Sequence, residues 1–118
     1  MSTLRLTRGD SAVWDFTCVD GDGAPLLLAG VQATFTVKQE PHDSMPYIVK
    51  ELDDGISIVD SAGGLLRVTL SPDDTYGWPA TRTYHWDLQL AYSSDSVFTI
   101  DTGLLLVNVD ISRNRYAS

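Results

Sequence analysis

The sequence predicts an all-β domain of two packed sheets, and three observations predict it. Apolar and polar residues alternate along most of the chain, turn residues break that alternation at short intervals, and only one stretch carries helix-start signals. Successive side chains of a strand point to opposite faces, so alternation marks strands with one buried side. About eight such strands need a second sheet to cover their apolar faces, which is the logic of a β-sandwich; an open barrel is the alternative.

In chain order, Leu4 and Leu6 share a face, followed by Trp14, Phe16 and Cys18. Val31, Ala33, Phe35 and Val37 alternate with Gln32, Thr34, Thr36 and Lys38, and a short strand is expected at Tyr47 to Glu51. Ile56 and Ile58 form the next inward pair, then Leu66, Val68 and Leu70. Tyr84, Trp86, Leu88 and Leu90 face inward against His85, Asp87 and Gln89. Phe98 and Ile100 follow, and Leu105, Val107, Val109 and Ile111 close the series. Turns are expected at Gly9-Asp10, Asp20 to Pro25, Ala29-Gly30, Asp53 to Gly55, Ser61 to Gly64 and Ser93 to Ser96, with a surface loop from Gln39 to Pro46. The helical exception starts at Ser71, an N-cap residue followed by Pro72, Asp73 and Asp74, with Gly77 as its stop.

At 118 residues and 12.9 kDa the chain is expected to be one domain, residues 1–118, with a single core. A formal charge of -8 opposes phosphate backbones and anionic lipid, so neither nucleic acid nor membrane is an expected partner. The lone cysteine, Cys18, excludes an intramolecular disulfide. No apolar signal-type segment opens the chain and no long apolar run follows. The expectation is therefore a protein made in the cytoplasm and used without secretory export or a membrane span.

Candidate chemistry is sparse. Asp20-Gly21-Asp22-Gly23 starts like a calcium loop but lacks the later acidic ligands, so a turn is expected. The pairs Asp53-Asp54 and Asp73-Asp74 are accounted for as turn and helix-start residues. His42 and His85 have no partner at metal-ligand spacing, and Cys18 reads as a small buried hydrophobe. No phosphate-binding loop, dinucleotide fingerprint or nucleophile elbow is present. The sequence thus predicts no enzyme activity, no catalytic or metal-binding residue and no cofactor.

Interfaces are the better prospect. Leu26-Leu27-Leu28 and Leu104-Leu105-Leu106 put leucine on both faces of a strand, so at least one of each should look outward. The interface candidates are Val13, Leu27, Leu104 and Leu106, with Arg113, Arg115 and Tyr116 in a basic tail on an acidic body. Arg8-Gly9-Asp10 is an integrin-type triplet, but its setting predicts a hairpin turn between two strands.

Several degenerate pieces occur in a fixed order. They are Leu6, Arg8-Gly9-Asp10, Trp14 and Phe16; Asp20 to Lys38; Gly55 to Thr75, ending in Leu70-Ser71-Pro72-Asp73-Asp74-Thr75; Tyr84 to Leu90; and Gly103 to Arg113. In that order they resemble the immunoglobulin-like N-terminal domain of tailed-bacteriophage upper baseplate proteins, and the small free-standing phage structural proteins that share it. The resemblance covers nearly the whole chain. It implies an immunoglobulin-like β-sandwich of about eight short antiparallel strands, and a non-enzymatic structural protein of the virion. The implied role is a tail or baseplate attachment component, a homo-oligomer whose partners are other virion proteins. A capsid decoration (cement) protein or head-fibre base on the major capsid protein is the alternative, and a carbohydrate-binding module using Trp78 or Tyr92 a more distant one. The larger members continue into receptor-binding or coiled-coil regions, so attachment or decoration is expected here rather than host adhesion.

Overall fold

A computed structural model of the chain describes residues 2–40, 42, 46–75, 78 and 82–108. In order they form β1 (Ser2–Thr7), β2 (Ala12–Thr17), β3 (Gln32–Lys38), β4 (Ile48–Leu52), β5 (Gly55–Asp60), β6 (Leu65–Leu70), α1 (Pro72–Thr75), β7 (Arg82–Ser93) and β8 (Ser96–Asn108). The fold is nearly all-β, as the alternation predicts. All eight strands belong to one hydrogen-bonded sheet, ordered β1-β8-β7-β3-β4-β5-β6-β2, which curls until it is nearly a closed barrel.

The strands follow from the pattern. In β3 Ala33, Phe35 and Val37 are buried while Gln32 and the threonines face outward, and β6 and β7 repeat this with Leu66, Val68 and Leu70 and with Tyr84, Trp86, Leu88 and Leu90. Trp14, Phe16, Phe35 and Trp86 meet at the centre, with ring centroids 5.4 to 6.3 Å apart in four pairs, and Phe35 stacks on Trp86. Such aromatic contacts add directional preference to the area buried.

Two pairings are parallel, against an expectation of antiparallel strands throughout. β1 runs parallel to β8 from Ser2↔Gly103 to Thr7↔Asn108. The other parallel contact, β4 with β5, consists of Glu51↔Gly55 and Leu52↔Ile56 alone. Parallel neighbours ordinarily need a crossover of a dozen residues. Here the chain makes one tight coil, with Asp53 in the left-handed region (φ 65°), Asp54 N–H on the Glu51 carbonyl at 2.9 Å and Asp53 N–H on the Ile56 carbonyl at 2.9 Å. The sheet therefore consists of five strands (β1-β8-β7-β3-β4) and three strands (β5-β6-β2) joined by a narrow bridge.

Three local expectations are corrected. The Arg8–Ser11 turn does not close a hairpin: β1 pairs with β8 and β2 with β6, so the turn joins the two opposite edges of the sheet. Leu26 to Leu28 lie outside the named strands, because Leu26 and Leu28 spend their N–H groups on the Cys18 and Ser61 carbonyls. Phe98 and Ile58 lie on the inner side of their strands but at the barrel's rim, where Phe98 is 51% and Ile58 37% exposed. Val109, Ile111 and Gly77, and half of the loop from Gln39 to Pro46 (residues 41 and 43–45), lie outside the described residues.

Candidate functional site

The end of the barrel at the Arg8–Ser11 turn is tied shut by side chains of α1. Ser71 precedes the helix, and the Asp74 carboxylate accepts its N–H at 2.7 Å and its hydroxyl at 3.3 Å, while the Asp74 N–H bonds the Ser71 carbonyl at 3.0 Å. The other Asp74 oxygen takes Lys50 Nζ at 3.0 Å, both side chains being mostly buried. Lys50 lies opposite Phe35 on β3, and its stem packs over Gly55, where no Cβ would fit. One turn on, the fully buried Thr75 hydroxyl accepts the Gly9 N–H at 2.9 Å, and Arg8 donates to the Trp78 carbonyl at 2.8 Å. Arg8-Gly9-Asp10 is thus a structural turn, with Gly9 at φ 83° and the Arg8 guanidinium committed to the protein's own backbone.

Away from that end the two edge strands separate and leave a cleft of about 470 Å³, lined by Ser2 and Leu4 of β1, Val13 to Thr17 of β2, and Ile100 and Asp101 of β8. Among the described residues β1 and β2 each pair on one side only, so both walls present backbone N–H and C=O groups. The floor is apolar: Leu4, Trp14, Phe16 and Ile100 are half-buried against the core. The rim is acidic. Asp15 forms a two-pronged pair with Arg67 at 2.8 and 3.2 Å, and the Arg67 hydrogen bonds hold its carboxyl below the usual value. Burial pushes the Asp101 carboxyl up, but hydrogen bonds from the Ser2 hydroxyl and the Thr102 N–H, together with the positive charge of the chain's amino terminus, outweigh it and hold the group low.

The interface candidates fall on three separate surfaces. Val13, 56% exposed, stands on the cleft rim. Leu104 and Leu106 are half-buried on the outer face of β8, between Thr3 and Arg5 of β1 and His85 and Thr83 of β7. Leu27, 63% exposed, sits at the far end, where its carbonyl accepts the Tyr92 hydroxyl at 2.7 Å. Arg113, Arg115 and Tyr116 lie outside the described residues. Two features were not singled out from the sequence. One is the apolar tip of the β7–β8 hairpin, where Val97 and Phe98 are about half exposed and Tyr92 packs edge-on against Phe98. The other is the half-open Trp14–Phe16 floor; alternation marks these residues as inward but cannot show that the sheet stops beside them.

The remaining polar groups have local explanations. Asp20 accepts the Asp22 and Ala24 N–H groups at 2.8 and 3.0 Å, which makes the Asp-Gly-Asp-Gly stretch a turn closed by its own carboxylate. No group of three or more metal-ligating side chains occurs among the described residues. Burial pushes the Cys18 thiol up to about 11, which suppresses the reactive thiolate. On the outer face a groove of about 110 Å³ holds Lys38, His85 and Asp87. Desolvation raises the Asp87 carboxyl there, only partly countered by Lys38. Trp78 packs its ring 4.6 Å from Tyr84 and edge-on to Tyr47.

No known family model matches this chain, and no curated protein sequence matches it.

Proposed function

We propose that this chain is an immunoglobulin-like β-sandwich serving as a non-enzymatic structural component of a tailed-bacteriophage virion, of the tail or baseplate attachment type. The carrying observation is the ordered set of sequence pieces from Leu6 to Arg113 that resembles that domain. The strand order adds support. A five-stranded part and a three-stranded part joined through only two residue pairs are compatible with the two-sheet reading, and the first strand running parallel to the last supports it. Engagement of Asp74, Asp20 and Arg8 in local structure, and a thiol shielded by burial, fit a module that binds rather than reacts. The Trp78 ring, which a sugar-binding module would offer as a platform, packs instead on Tyr84 and Tyr47.

Quantitative protein composition of separated phage heads and tails tests the reading. A few copies retained on isolated tails is the expected result. Hundreds of copies retained on tailless heads would move the protein to capsid decoration, and absence from both would overturn the virion role.

A further inference from the structure

We infer that the cleft between β1 and β2 is a strand-docking site, and that its occupant is segment 109–118 of a second copy of this chain. The inference deepens the homo-oligomer part of the reading above by naming the surfaces that meet. The cleft offers what an added strand needs: a β2 edge with no strand beside it among the described residues, an apolar floor of Leu4, Trp14, Phe16 and Ile100, and an exposed Val13 on its rim. Strand addition to an open edge takes affinity from main-chain hydrogen bonds and specificity from alternate side chains.

Two observations select the occupant. The first is charge. Residues 109–118 carry Arg113 and Arg115 against Asp110 alone, whereas residues 1–108 carry six cations against fifteen acidic groups. The body as a whole is therefore acidic, and the basic end of the tail is attracted to a neighbouring body rather than repelled by it. Val109 and Ile111 alternate with polar residues and match an apolar floor with one dry side. The second is direction. β8 runs parallel to β1 and reaches Asn108 beside the turn, where the Arg8 N–H bonds the Asn108 carbonyl at 2.8 Å. At Asn108 the strand therefore points away from the cleft of its own molecule. Ten extended residues reach roughly 33 to 36 Å, enough to lie across a neighbouring molecule.

The test uses the full chain in a Cys18→Ala background carrying Thr17→Cys and Ser112→Cys. Tagged and untagged versions are mixed under mild oxidation, and sedimentation of the unmodified chain runs in parallel. The expected result is a disulfide between chains of different size, with self-association weakened about tenfold or more by either Val13→Lys or Ile111→Asp, equivalent to at least about 1.4 kcal/mol. Val13→Lys changes an exposed side chain, so loss of folding does not confound it. A disulfide within one chain would show that the tail serves its own cleft and overturn the inference. So would a monomer at high concentration, or an oligomer indifferent to both variants. Because these measurements use purified protein, their failure leaves the head-and-tail composition result standing on its own.

Discussion

Gly103 carries no side chain because the Ser2 carbonyl occupies the space one would fill. β1 lies that close because Trp86, opposite Gly103, donates its indole N–H to the Ser2 and Leu104 carbonyls at 3.2 Å each. Gly103→Ala must push β1 away and is expected to cost about 1–3 kcal/mol, the usual range for overpacking a tight site. Gly21→Ala, which meets nothing within 4 Å, should be close to neutral. Urea denaturation of the two variants makes the comparison. A second residue-scale prediction concerns Asp87. Desolvation raises its carboxyl, so the folded state holds the proton more tightly than the unfolded chain and the ionised form is the costly one. Asp87→Asn is therefore expected to stabilise the protein at neutral pH, and its advantage should shrink as pH falls through the folded value; stability curves at neutral and acid pH read the sign directly.

At the scale of elements, α1 is four residues long and cannot persist on propensity alone. It is held by the Ser71–Asp74 hydrogen bonds, by Lys50 from β4 and by Thr75 beneath Gly9. A double-mutant cycle of Lys50→Met and Asp74→Asn should show coupling of about 0.5–3 kcal/mol, the range for contacting residues in one network. The exposed Asp15–Arg67 pair on β2 and β6 is open to solvent screening and should lose its effect in high salt. A null result at Lys50–Asp74 would mean that the helix is positioned by Thr75 and Arg8 alone.

Over the whole molecule, one core has to serve both the five-stranded and the three-stranded part, because only two residue pairs join β4 to β5. Phe35 lies at its centre, fully buried and in ring contact with Trp14, Phe16 and Trp86. Phe35→Ala is expected to cost about 3–5 kcal/mol, a large share of the roughly 5–15 kcal/mol that holds a domain of this size. Thermal unfolding should show a fall in Tm of many degrees in a single transition. An unmoved Tm would mean that the aromatic cluster is not where the two parts are joined.

Alternation by itself determined which residues of β3, β6 and β7 are buried, and turn chemistry determined where most strands stop, since both are local properties of strand geometry and φ preference. The capped helical turn was legible for the same reason: Ser71, Pro72 and Asp74 act within four residues of one another. Of the proposed interface residues, the outward exposure of Val13 could be read locally, and so could the basic character of the tail; Leu27 is exposed as well, but outside any strand rather than on one with leucine on both faces. Which strands are neighbours could not. Arg8-Gly9-Asp10 looks like a hairpin turn because its conformation is local, yet it joins opposite sheet edges because β1 finds β8 about a hundred residues away. The cleft, the rim position of Phe98 and the partners of Lys50 are likewise matters of which distant segments meet, and only tertiary packing decides that.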